Sequence, residues 1–105
     1  MANAFTGNPI VIDTVSSDID IANLTYGSSS VGVFISGARL YNPTLNDKIV
    51  IKDGSGKIVM ALHADATGKD VELIGSQHHL HVNSGLKMLT ADQTLTTGHL
   101  EIFTK

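Results

Sequence analysis

The sequence predicts an all-β protein: a single antiparallel β-sandwich, jelly-roll-like or immunoglobulin-like, of about eight short strands with an extended N-terminal arm. Turn-forming clusters of Gly, Asn, Pro and Ser recur at short intervals and leave runs of strand length between them. Several of these runs alternate apolar and polar residues, and none has a convincing helical period. A length of 105 residues suits one domain with one modest core.

The predicted strands can be assigned in order along the chain. The clearest pair is Lys48–Lys52 with Ile58–His63, because two β-branched runs joined by Asp53 and Gly54 form a strong hairpin signal. Pro9 precedes the first strand, which is therefore expected at a sheet edge. The eight predicted strands are residues 10–14, 19–24, 31–41, Lys48–Lys52, Ile58–His63, Val71–Ile74, residues 86–89 and 100–103.

Alternation within the strands predicts which side chains face the core. In the last strand we expect Leu100 and Ile102 to point inward, and His99 and Glu101 to point outward. The third strand is the longest, and the glycines within it, among them Gly37, indicate a bend or a bulge.

The polar N-terminus predicts a division into a flexible arm, residues 1–9, and a sandwich domain, residues 10–105. The arm has neither the basic start nor the apolar stretch of a signal peptide. We expect Phe5 to anchor the arm in a partner protein, with Pro9 and Ile10 contributing to the same contact.

Composition argues against several classes of function. Charged residues make up only 16% of the chain, against about 25% in an ordinary domain. The net charge is −3 and the seven basic residues are scattered, so nucleic-acid binding is not expected. There are no cysteines, and no run approaches the ~18 apolar residues of a membrane span. The composition therefore suits a protein that packs against other proteins, and it also fits an extracellular or particle-exposed protein.

Two histidines are the best candidates for a metal site. If their segment is extended, His79 and His81 share one face, a spacing that can chelate a divalent ion. A single pair leaves the coordination sphere unfilled, so we prefer the interpretation of a polar loop with solvated imidazoles. No metal and no other cofactor is predicted.

No catalytic constellation is visible, and the chain is expected not to be an enzyme. The segment after Asp53 lacks the alternating acidic ligands of a calcium loop and the Lys-Ser/Thr of a phosphate loop, so it is interpreted as a turn. No serine lies in a nucleophile-elbow motif. Trp is absent, and we expect Phe34 and Tyr41 to lie mostly in the core or in an interface.

Four segments together resemble small virion structural proteins of tailed bacteriophages. They are residues 35–43 (ISGARLYNP), 47–59 (DKIVIKDGSGKIV), 85–90 (GLKMLT) and 98–103 (GHLEIF). In such proteins a strand feeds a turn, then a V-x-I-x-D-G-x-G hairpin, a G-L-K-V-x-T strand and a final G-x-L-x-I-Y strand. The resemblance covers about two-thirds of the chain.

The resemblance implies a capsid decoration or cement protein, made in the host cytoplasm and located in the virion. Its implied partner is the major capsid protein, and a homo-oligomer is expected from the general prevalence of closed symmetry. Neither nucleic acid nor membrane is an expected partner. A tail, fibre or spike component remains an alternative, as does a carbohydrate- or receptor-binding module.

Overall fold

The fold is known from a computed structural model, which describes residues 3–74, 80–82 and 84–104. The described residues form nine strands, one short α-helix and one 3₁₀ turn. In chain order these are β1 (Ile10–Ile12), β2 (Ile19–Asp20), α1 (Ile21–Tyr26), β3 (Val33–Tyr41), β4 (Lys48–Lys52), β5 (Ile58–His63), β6 (Val71–Ile74), β7 (Leu80–Val82), β8 (Lys87–Met88), the 3₁₀ turn (Thr90–Asp92) and β9 (His99–Thr104).

Two antiparallel sheets pack face to face, which confirms the predicted β-sandwich. The five-stranded sheet has the order β1-β9-β3-β6, and β7 pairs with the first part of β3. The four-stranded sheet has the order β2-β8-β4-β5. Leu100 and Ile102 point inward as predicted, and they join a core of aliphatic side chains from both sheets. Its fully buried members include Ile10, Ile12, Ile21, Ala38, Leu40, Ile49, Ile51 and Met88.

The hairpin of β4 and β5 is confirmed with the predicted bounds. Its turn is fixed by Asp53, whose Oδ1 accepts hydrogen bonds from the Ser55 hydroxyl at 2.7 Å and from the Ser55 and Lys57 backbone N–H groups at 2.9 and 3.0 Å. These bonds stabilise the ionised carboxylate, and they lower the pKa of Asp53 below its usual value, the Ser55 side-chain bond contributing most.

The predicted strand over residues 19–24 is wrong beyond Asp20, because α1 begins at Ile21. Asp20 caps the helix: its carboxylate accepts a hydrogen bond from the Asn23 N–H at 3.0 Å. Gly27 ends it with a left-handed φ of 80°, and its N–H donates to the Asn23 carbonyl. A second difference is β7, which pairs with β3 although its histidine-rich segment was interpreted as a loop.

A bulge in β3 decides which side chains reach the outer surface. Pairing with β9 shifts register between Ile35 and Gly37, as the glycine had indicated. Odd-numbered residues such as Ile35 are buried before the shift, and even-numbered residues such as Leu40 are buried after it. Phe34 and Tyr41, which strict alternation would put on opposite faces, therefore share the outer face of the five-stranded sheet.

Residues 3–9, predicted as an arm, fold back along β1 in this structure. Ala4 and Val11 exchange two backbone hydrogen bonds of 2.8 and 2.9 Å, which adds a bridge to the outer edge of β1. The side chain of Asn3 donates to the Thr14 carbonyl and accepts from the Thr14 N–H. The expected edge position of β1 is confirmed, but its exposed side is covered by the chain's own N-terminal segment.

Candidate functional site

The predicted metal pair is only partly within the described residues. His79 lies outside them, whereas His81 lies in β7 and stacks on Phe34 with ring centroids 4.2 Å apart and planes 11° apart. Among the residues that the structure describes, no group of three or more His, Cys, Asp or Glu side chains is placed to hold a metal ion. The described contact of His81 is therefore with an aromatic ring.

The predicted partner-binding residues contribute to the fold in this structure. Ile10 is fully buried, so the structure gives it a place in the core where a partner contact was expected. Phe5 is half-buried and packs against that core, and Pro9 is also half-buried.

Aromatic side chains instead gather on the outer face of the five-stranded sheet. Phe34 and Tyr41 lie there with 47% and 42% of their surface exposed. Of the two expected positions, core or interface, the core is therefore wrong for both, and the interface stays a prediction. Phe103 lies on the same face and is half-buried. Three of the five aromatic residues of the chain thus share one surface, which we call the ring face.

Four side chains form a compact group at one end of the ring face. Tyr41 lies opposite His99 across β3 and β9, with ring centroids 5.0 Å apart and planes 30° apart. The next cross-strand pair on the same face is Arg39 and Glu101, joined by a hydrogen bond of 2.7 Å from Nε to Oε1. The Arg39 guanidinium carbon lies 5.0 Å from the Tyr41 ring centre, and His99 Nε2 lies 3.4 Å from Glu101 Oε2.

Charge on the ring face centres on Arg39, the only arginine of the chain. The hydrogen bond to Glu101 raises the pKa of Arg39 above its usual value against the opposing effect of desolvation, and Asp70 and Glu72 raise it further. One guanidinium thus lies among three carboxylates. The sequence predicted the outward positions of His99 and Glu101. The position of Phe34 on the same face follows only from the observed pairing of β3 with β9 across the bulge.

A second surface lies where three loops meet at one end of the sandwich. The Gly54 N–H in the β4–β5 turn donates to the Ser84 carbonyl at 2.7 Å, and the Gly85 N–H donates to the Val31 carbonyl at 2.9 Å. A Cβ on Gly85 would lie 2.9 Å from the Gly54 α-carbon, so only glycine allows this approach. The three loops are the β4–β5 turn, the segment before β3 at Val31 and the segment before β8 at Ser84 and Gly85. We call the surface that they form the loop end.

Large apolar side chains flank the loop end. Ile58, the first residue of β5, is 64% exposed, which is the highest value among the large hydrophobic residues of the described chain. Tyr26 ends α1 just before one of the three loops and is 47% exposed. Hydrogen-bonded loops with exposed apolar neighbours make a firm surface that another protein can cover.

Comparisons with known proteins give this chain no relative. No protein-family model, curated protein or solved structure matches it. Within the described residues, the structure contains no helix with the length and apolar character needed to cross a membrane.

Proposed function

We propose that this chain is a structural protein of a tailed-phage virion that binds the assembled capsid shell as a decoration or cement protein. The resemblance of the four segments to small virion proteins supports this role. The observation that carries it is the loop end, where Ile58 is 64% exposed on a protein with only 16% charged residues. Covering such an apolar surface with a coat subunit lowers the free energy and so favours binding.

The loop end is suited to attachment because hydrogen bonds between described residues join its three loops. Hydrogen bonds from Gly54 and Gly85 tie the loops together before a partner arrives, so little ordering entropy is lost on binding. Burying the exposed part of Ile58 contributes about 1–2 kcal/mol per copy. Repeated copies in a homo-oligomer on a symmetric shell multiply such contacts into durable attachment.

The buried carboxylate of Asp47 supports a structural role over a catalytic one. It is 1% exposed, and its Oδ1 accepts a hydrogen bond of 2.8 Å from the Thr96 hydroxyl. Its Oδ2 accepts from the backbone N–H groups of Thr44 and Thr96 at 3.0 and 3.1 Å. Both oxygens are thus engaged in bonds that hold two loops together.

A binding assay with capsid shells that lack this chain tests the proposal. Ile58→Asp should lower the affinity of the purified protein for shells at least about tenfold, because the charge would have to be desolvated in the contact. Leu45→Asp is the matched control, since Leu45 is 50% exposed but lies in the loop between β3 and β4 at the opposite end. Equal binding of both variants and the wild type would reject the loop end as the attachment surface.

A further inference from the structure

We propose that the ring face binds a neutral oligosaccharide, which stacks on the exposed rings and hydrogen-bonds to Arg39, His99 and Glu101. This site is distinct from the loop end, and the inference does not depend on the proposed attachment to a capsid. It rests on three features of the described residues: open aromatic rings, a polar group with both donors and acceptors, and the sign of the surrounding charge.

The rings are held in place and remain accessible. Parallel stacking with His81 covers one face of Phe34, yet 47% of the Phe34 side chain is exposed. Tyr41 contacts His99 and Arg39 and is still 42% exposed. Two large rings left exposed on one surface cost hydrophobic free energy. Exposed apolar patches of this kind are typical of binding surfaces. The apolar C–H faces of a sugar ring pack on such platforms.

The spacing of the rings suits a chain of sugars. Phe34 and Tyr41 are seven residues apart along β3, which corresponds to roughly 20 Å of extended strand. The bulge between Ile35 and Gly37 puts both rings on the same face, and bulges commonly re-aim side chains at binding sites. An elongated platform with a ring near each end fits an oligosaccharide lying along the strand.

The polar group beside Tyr41 matches the hydroxyl groups of a sugar. Each hydroxyl both donates and accepts hydrogen bonds, so its site needs acceptors and donors side by side. Glu101 supplies carboxylate oxygens and Arg39 supplies the N–H groups that its single bond to Glu101 leaves over. His99 adds an imidazole next to both. Charged hydrogen-bonding groups of this kind bind neutral hydroxyls more strongly than uncharged ones do.

The surrounding charge disfavours an acidic ligand. Glu101, Glu72 and Asp70 lie around Arg39, so three carboxylates face one guanidinium. A sialylated or sulfated sugar, or a nucleic acid, would be repelled from such a surface. A neutral oligosaccharide avoids that repulsion and still uses the rings.

Binding of the purified, full-length chain to an array of immobilised neutral and acidic oligosaccharides tests the inference. We expect neutral oligosaccharides to be retained in preference to sialylated and sulfated ones. The best neutral oligosaccharide is then titrated calorimetrically with three variants. Phe34→Ala and Tyr41→Ala should each weaken binding about tenfold or more, whereas Leu45→Ala, at a similarly exposed position off the ring face, should bind as the wild type does.

Melting temperatures measured on the same samples separate lost binding from lost folding. If Tyr41→Ala does not fold, Phe34→Ala at the other end of the platform still decides the question. No retained oligosaccharide, a preference for acidic ones, or undiminished binding by a folded Phe34→Ala variant would overturn the inference. Any of these outcomes leaves the shell-binding assay at the loop end unaffected, so the two proposals fail separately.

Discussion

Gly98 lies directly against the backbone carbonyl of Tyr41, so closely that no side chain fits between them. A Cβ on Gly98 would overlap the Tyr41 oxygen and would also lie 2.8 Å from the carbonyl oxygen of Asn42. This close approach lets β9 begin beside the end of β3, and the next residue, His99, stacks on Tyr41. One glycine thus supports both the sheet and the polar end of the ring face.

Gly98→Ala should destabilise the protein by about 2–4 kcal/mol, because backbone on the far side must move to make room for one methyl group. Gly7→Ala is the control, since a Cβ there meets only the Pro9 oxygen at an ordinary 3.4 Å. Urea denaturation of both variants measures the effect. Equal free energies of unfolding for the two variants would show that the backbones of β9 and β3 can move apart at this end without loss of stability.

The hydrogen bonds of the Gln93 side chain, rather than its size, should determine its contribution to stability. Its side chain accepts from the Val50 N–H at 2.8 Å and donates to the carbonyls of Val50 and Leu89 at 2.7 and 3.0 Å. The Gln93 side chain thereby bonds both backbone groups of Val50, as a neighbouring strand would. Gln93→Glu keeps the shape but removes both donors, so we expect a loss of about 1–3 kcal/mol, similar to that of Gln93→Ala. A Gln93→Glu variant as stable as the wild type in thermal denaturation would contradict this role.

The turn carboxylate of Asp53 should make stability depend on pH. Its pKa is lowered in the folded protein, so ionisation favours folding above the unfolded-state pKa of about 3.9, and this contribution disappears as the pH falls through the lower folded value. The melting temperature of the wild type should exceed that of Asp53→Asn at pH 7, and the difference should shrink below about pH 4. A difference that stays constant from pH 7 to pH 2.5 would show that the carboxylate's charge is irrelevant.

Deleting residues 1–9 should lower stability, contrary to the behaviour of a free arm. The deletion removes the bridge from Ala4 to Val11, the bonds from Asn3 to Thr14 and the packing of Phe5 on the core. We expect a loss of about 2–4 kcal/mol together with greater self-association through the uncovered edge of β1. Unchanged stability and an unchanged sedimentation profile would restore the interpretation of a free arm.

Local signals predicted the parts of the fold that local interactions determine. The β4–β5 hairpin was predicted with its bounds because Asp53 and Gly54 set the turn and the flanking β-branched residues set the strands. The inward positions of Leu100 and Ile102 followed from simple alternation. The hairpin depends on few distant contacts, and alternation follows from the geometry of any strand with one buried face.

Competing local patterns and long-range pairing account for the misses. Alternation of aspartate and isoleucine suggested a strand at Ile21, although the cap at Asp20 and the glycine at Gly27 mark a helix in the same segment. The exposure of Phe34 and Tyr41 depends on how β3 pairs with β9 across the bulge. The spacing of glycines indicated a bulge, but only the observed register shows which side chains it turns outward.

The copy number of this chain in purified phage particles tests the central proposal most directly. Quantitative mass spectrometry against the major coat protein provides the ratio. A decoration protein that covers the shell predicts a ratio near one, or a simple symmetry fraction of it. A handful of copies per particle would place the chain in the tail or a spike, and its absence from particles would contradict the virion role altogether.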